Sequence, residues 1–252
     1  MRPLPTLLAE FPEELHAEHS LDILREYLQH EMLKAVFASR YGYKLTFLGG
    51  TALRLCYRTD RFSEDLDFDN VGLSREEFEH TLGKVARALE LVGYPCKLHF
   101  TYKGAYHCSV RFPALLYQYG MSPHQEARLM IKVDTEAQGH DYERVVIPVS
   151  GFGVACEVAA VPLPLLCAMK VAAVLGRRRP KGRDFYDLSW CLERVQPDEA
   201  YLRDRLGLAS VAAAREAVRA HTAGFDFGAL ARDVRPFLMR EADVARVAGF
   251  AW

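Results

Sequence analysis

Two aspartates at alternate positions, Asp65 and Asp67, follow an apolar segment that ends in Gly49-Gly50-Thr51. In a strand, residues i and i+2 share a face, so both carboxylates point one way while Leu66 and Phe68 turn into the packing. Two such carboxylates are costly without a cation between them. Mg²⁺ suits the position, because it takes hard oxygen ligands and commonly binds through one or two carboxylates plus substrate phosphates. The glycines let backbone N–H groups of Gly49, Gly50 and Thr51 approach a triphosphate at the start of a helix, where partial positive charge favours anions. The bland alternative is a solvated strand face shared with Glu64 and Asp69. The glycine pair makes the combination more specific than the two aspartates alone.

Asp134 closes the strand-like run Leu129-Met130-Ile131-Lys132-Val133-Asp134. If that strand lies beside the Asp65/Asp67 strand, Asp134 enters the same site, as a third metal carboxylate or as a base toward an attacking hydroxyl. Otherwise it starts the turn toward Asp141. Lys170 is the one charged residue between Val158 and Gly176, amid Leu166, Met169, Ala173 and Val174. It either meets a phosphate as a compact point charge or snorkels its ammonium to water past an apolar stem. The stretch Arg177-Arg178-Arg179-Pro180-Lys181-Gly182-Arg183 carries no acid; it is an anion-facing loop, with Arg183 toward a nucleotide, or a solvated turn. Asp184 either caps the helix that follows or faces Lys170, with Asp187 one turn along the same side. Ser63, two residues before Asp65, borders the expected metal strand. A phosphate there would add about −1.5 to −2 charges and compete with substrate phosphates, whereas an ordinary loop serine only bonds nearby backbone.

Other chemistries lack a signature. Gly151-Phe152-Gly153 has neither the third glycine nor the helix of a dinucleotide fingerprint, and there is no GxxxxGK[ST] loop. The six cysteines form no CxxC pair and sit in apolar surroundings, as reduced core thiols do. The nine histidines are scattered. A net charge of −1 excludes a generic polyanion binder, so any nucleic-acid contact has to be local. No apolar run is long enough to span a bilayer, and no basic-then-apolar leader is evident, so the expected location is the cytoplasm without membrane contact.

These residues need elements to hold them. Leucines at helical spacing predict helix over roughly the first forty residues, followed by a strand at Lys44 to Leu48, a helix from Thr51 and the strand carrying Asp65 and Asp67. Ser74 with Glu77 makes a capping box for a helix reaching Leu91. Alternation then predicts strands at Lys97 to Tyr102, Tyr106 to Phe112 and Ala127 to Thr135, with one or two more between Arg144 and Val158. After Pro162 and Pro164 only helices are expected. The chain reads as α+β: a mixed-sheet lobe with flanking helices over 1–158 and an all-helical lobe over 159–252, with a cleft where they meet.

Two blocks resemble the AbiEii/AbiGii-type toxin family of the nucleotidyltransferase superfamily, which includes MenT-like toxins. The first runs from Phe47-Leu48-Gly49-Gly50-Thr51-Ala52-Leu53-Arg54-Leu55 through Arg61-Phe62-Ser63-Glu64-Asp65-Leu66-Asp67-Phe68; the second from Met169-Lys170 through Lys181-Gly182-Arg183-Asp184-Phe185-Tyr186-Asp187-Leu188. The resemblance implies a bilobed nucleotidyltransferase-like fold. It also implies that Gly50 and Thr51 hold a nucleoside triphosphate, Asp65 and Asp67 bind Mg²⁺, Lys170 meets the phosphates and Asp184 supports catalysis. Many members of this branch lack a third carboxylate, so Asp134 is not carried over by the family.

The implied activity is that of a toxin paired with an antitoxin, transferring a nucleotide to an acceptor hydroxyl, with the 3′ end of tRNA as the leading acceptor. Transfer to a protein or small molecule is the first alternative. A catalytically silent member that acts by binding is the second.

Overall fold

The computed structural model describes all 252 residues. It divides into two compact units, one of Met1–Cys56, Ser63–Gln138 and Arg144–Ala160, the other of Tyr57–Phe62, Gly139–Glu143 and Val161–Trp252. The division falls after residue 160, not 158, and the second unit takes in two short segments from the N-terminal part that no change in composition marks.

The first unit opens with α1 (Leu4–Leu8) and α2 (His16–Phe37), so the expected N-terminal helix is broken between Leu8 and His16. Then come β1 (Leu45–Leu48), α3 (Gly49–Tyr57, whose last residue belongs to the second unit), β2 (Leu66–Asn70) and α4 (Arg75–Leu91). They are followed by β3 (Lys97–Lys103), β4 (Ala105–Phe112), α5 (Leu115–Gln118), β5 (Leu129–Glu136), β6 (Val145–Gly151) and β7 (Val154–Ala160). The short α5 has no counterpart in the expectations. It begins after Ala114, whose positive φ of 57° turns the chain.

The seven strands form one mixed sheet in the order β3-β4-β5-β2-β1-β7-β6. β2 pairs parallel with β5, and β1 parallel with β7; the remaining pairs are antiparallel. Alternation gives the sheet two unlike faces. Leu66 and Phe68 of β2, Ile131 and Val133 of β5, and Cys108 and Val110 of β4 are buried, and α2 and α4 pack on strands of the sheet. Ile23, Leu24, Tyr27, Leu28, Met32, Leu33 and Val36 make the apolar stripe of α2, each worth about 1.5–3 kcal/mol when fully buried. The expected capping box starts α4: Ser74 accepts from Glu77 N–H, and the Glu77 carboxylate accepts from Ser74 N–H at 2.8 Å.

The second unit is helical: α6 (Leu163–Gly176), α7 (Gly182–Leu192), α8 (Glu199–Leu206), α9 (Val211–Thr222), α10 (Phe227–Val234) and α11 (Ala245–Ala248). Pro162 sets the start of α6, and α7 packs against α6, α10 and α11. Gly182 allows the approach of α10, since a Cβ there would lie 2.0 Å from the Leu230 carbonyl oxygen. No helix is long and apolar enough to cross a membrane.

Candidate active site

In the sheet unit, strand register assembles the polar face. Asp67 of β2 is paired with Asp134 of β5, and Asp134 with His107 of β4, so the three lie in one row across neighbouring strands. Register partners share a face, which is opposite to the one that buries Phe68, Val133 and Cys108. Asp134 thus joins Asp67. It is not a bare carboxylate, because His107 Nδ1 lies 2.8 Å from Asp134 Oδ1 and donates to it.

Regular pairing in β2 begins at Leu66, so Asp65 stands immediately before the strand. Its backbone carbonyl accepts from the Thr51 hydroxyl, and Thr51 is fully buried. That side chain therefore fixes the Asp65 backbone to the first turn of α3, whose leading N–H groups have no partner within the helix. Gly49 opens α3 with φ of +83°, and a Cβ on it would lie 2.4 Å from Asp67 Oδ2. Any side chain there would collide with the carboxylate. The Arg54 guanidinium, bonded twice to Glu26 at 2.8 and 3.0 Å, ties α3 to α2. Asp69, the next residue on this face, is buried and accepts from Gln138 N–H at 2.9 Å. This overturns the reading of Asp69 as part of a solvated face. Ser63 is half-buried, and its carbonyl accepts from Gln29 Nε2 at 3.0 Å.

In the helical unit, Lys170 of α6 meets α7. Its Nζ lies 2.7 Å from Asp187 Oδ2 and 3.2 Å from Asp184 Oδ1, with the side chain only 12% exposed. Snorkelling to water is thereby ruled out. Asp187 is also gripped by Arg61, whose Nε and Nη2 lie 2.6 and 2.7 Å from its two oxygens. Arg177 Nε stands 2.8 Å from Asp184 Oδ2, in ion-pair range although not aligned for a hydrogen bond.

Burial pushes the Lys170 ammonium down, but Asp187 and then Asp184 outweigh it and hold it above its ordinary value. Burial likewise acts to raise Asp187, and Arg61 and Lys170 overcome it, so that carboxyl lies below the usual range. Lys170 is thereby held as the ammonium and Asp187 as the carboxylate at neutral pH.

Asp184 does not cap α7. The Gly182 N–H is satisfied at 2.8 Å by Asp233 of α10, and Lys181 precedes the helix without a side-chain cap. Arg183 lies over the Phe237 ring with its guanidinium carbon 4.6 Å from the centroid, and the adjacent Arg177, Arg178 and Arg179 are exposed. Gly49, Gly50, Thr51, Asp65, Asp67 and Asp134 thus belong to the sheet unit, and Lys170, Arg183 and Asp184 to the helical one. Neither Arg61 nor His107 carries a local signature of a site residue. Arg61 sits among other charges in Arg58-Thr59-Asp60-Arg61, and His107 was one scattered histidine; only its alternation against Cys108 and Val110 set it apart.

No three histidine, cysteine, aspartate or glutamate side chains are grouped so as to hold a metal ion by themselves. A pair such as Asp67 and Asp134 fits Mg²⁺ of the kind that completes its shell with substrate phosphates and water.

No curated protein matches the chain. Among solved structures it is similar to MenT4, a nucleotidyltransferase toxin from Mycobacterium tuberculosis, with a TM-score of 0.63 at 18% identity over 99% of this chain and 88% of that one. It is also similar to JHP933 from Helicobacter pylori, with a TM-score of 0.56 at 17% identity over 91% and 89%. At such identities the likeness is one of fold. The family model described as nucleotidyl transferase AbiEii toxin, type IV TA system, matches residues 31–246 and so takes in both blocks of the sequence. The chain belongs to the AbiEii family of nucleotidyltransferase toxins of type IV toxin–antitoxin systems.

Proposed function

We propose that the protein is a Mg²⁺-dependent enzyme that moves a nucleoside monophosphate from a nucleoside triphosphate to an acceptor hydroxyl, the 3′ end of tRNA. The observation that carries this reading is the register pairing of Asp67 with Asp134 beside the glycine that opens α3. A bound Mg²⁺ would supply charge neutralisation at the attacking and departing oxygens. Asp65, Asp67 and Asp134 would hold it. Gly49, Gly50 and Thr51 would offer backbone N–H groups to the triphosphate, with Thr51 also steadying Asp65 through its side chain. Lys170 and Arg183 would meet the nucleotide's phosphates, with Asp184 orienting Lys170. The chain's work is to position reactants and hold charge ready, not to form a covalent intermediate.

The partners in this reading are a nucleoside triphosphate, tRNA and a cognate antitoxin, and the setting is the cytoplasm. The test incubates pure protein with Mg²⁺, each labelled triphosphate and total tRNA. Label at RNA 3′ ends that disappears in Asp67→Asn supports the proposal. No RNA label with any of the four nucleotides would overturn the tRNA assignment, and label on protein or metabolite would redirect it.

A further inference from the structure

We propose that His107 is a positioning residue of the divalent-cation site, setting the Asp134 carboxylate for metal binding. The inference rests on the reading of Asp67 and Asp134 as Mg²⁺ carboxylates. His107, Asp134 and Asp67 occupy one row across β4, β5 and β2. An ionised carboxylate only accepts, so the 2.8 Å contact makes His107 Nδ1 the donor and Asp134 Oδ1 the acceptor. That bond fixes the rotamer and engages one oxygen, leaving lone pairs on the other for a cation. Carboxylates that bind metals are commonly held in this way by an outer hydrogen bond.

A role in holding the fold explains the contact less well. The two side chains are 39% and 34% exposed, and a polar contact so open to water contributes little to stability. The strands are secured from the opposite face by Cys108, Val110, Ile131 and Val133, all buried. The other outward residues of β4 face different partners, Ser109 opposite Lys132 and Arg111 opposite Met130. His107 alone on that strand meets a carboxylate of the row.

The test is Mn²⁺ binding by the full chain, followed by electron paramagnetic resonance without nucleotide or acceptor. His107→Ala should weaken Mn²⁺ affinity by about tenfold or more with the thermal midpoint unchanged. His107→Asn should recover most of the loss, since its amide N–H can donate in place of the ring. Adding His107→Ala to Asp134→Asn should cost nothing further, because the two act as one unit. Wild-type affinity in His107→Ala, or a further loss in the double variant, overturns the role of His107 alone. Equal Mn²⁺ binding by wild type and Asp67→Asn overturns the underlying metal reading, and this inference with it.

Discussion

Arg61 and Asp187 form a two-pronged ion pair with bonds of 2.6 and 2.7 Å, and both side chains are shut off from water. Taking two charges out of water is expensive, so the pair is worth little more than a well-packed apolar substitute, yet breaking it strands a buried charge. Asp187→Ala leaves Arg61 without its bonded carboxylate and should lower stability by about 3–5 kcal/mol in chemical denaturation, Arg61→Ala by less because Asp187 keeps Lys170 at 2.7 Å, while Arg61→Met combined with Asp187→Leu should recover much of the Asp187→Ala loss. An Asp187→Ala cost under about 1 kcal/mol would show that water reaches the pair.

Removing Lys170 leaves neither carboxylate alone: Asp187 retains Arg61, and Asp184 retains Arg177. Lys170→Met should therefore destabilise less than Asp187→Ala, which strands Arg61, while abolishing nucleotide transfer. Undiminished turnover in the folded variant would reduce Lys170 to a structural counter-ion. A stability loss as large as that of Asp187→Ala would show that Arg177, half exposed as it is, does not neutralise Asp184.

The same network fixes the sign of the pH response. Asp187 is held below the usual carboxylate range, so its stabilisation is present above the ordinary aspartate value and is lost as pH falls through the depressed one. Lys170 is held above its usual range, so its contribution is complete below the ordinary lysine value of about 10.4 and fades only as pH rises through the raised one. Stability attributable to this cluster should be level from about pH 5 to pH 9. The difference in denaturation midpoint between wild type and the Arg61→Met, Asp187→Leu double variant, followed across pH, would reveal any titration within that window.

Gly49 carries a backbone and a packing constraint together. Alanine at φ of +83° is strained, and its Cβ would press on Asp67 Oδ2 from 2.4 Å. Gly49→Ala should cost about 1–3 kcal/mol from strain alone and weaken divalent-cation binding by displacing the carboxylate. Wild-type Mn²⁺ affinity in this variant would separate Asp67 from the metal.

Local chemistry made much of this readable in the sequence. The alternation of Asp65 and Asp67 with Leu66 and Phe68, the Ser74/Glu77 capping box and the lone charge of Lys170 are each decided within a few residues. What could not be read was long-range pairing. β2 and β5 are parallel neighbours separated by two other strands in the chain, so the meeting of Asp67 and Asp134 depended on a sheet order that alternation does not encode. Arg61 and Asp187 lie 126 positions apart, and a charged run gives no hint that one of its members is buried. The partner of the Thr51 hydroxyl is hidden for the same reason, since it is the Asp65 carbonyl fourteen residues on.

Ser63 offers a route to control. It is half-buried, follows directly on Phe62 and precedes Glu64, Asp65 and Asp67, with its carbonyl pinned by the buried Gln29 amide. A phosphate on its hydroxyl would bring about −1.5 to −2 charges next to a segment that is already acidic. Arg25, shared between Asp22 and Glu64, lies 3.8 Å from the latter. Phosphorylation should therefore repel a nucleoside triphosphate and lower transfer, with the fold preserved. Intact mass and turnover would be measured for protein made with and without its genomic neighbour, and full activity in stoichiometrically phosphorylated protein would refute this. Ser63→Ala should keep activity and abolish the mass shift, which distinguishes modification at this hydroxyl from inhibition by a bound antitoxin.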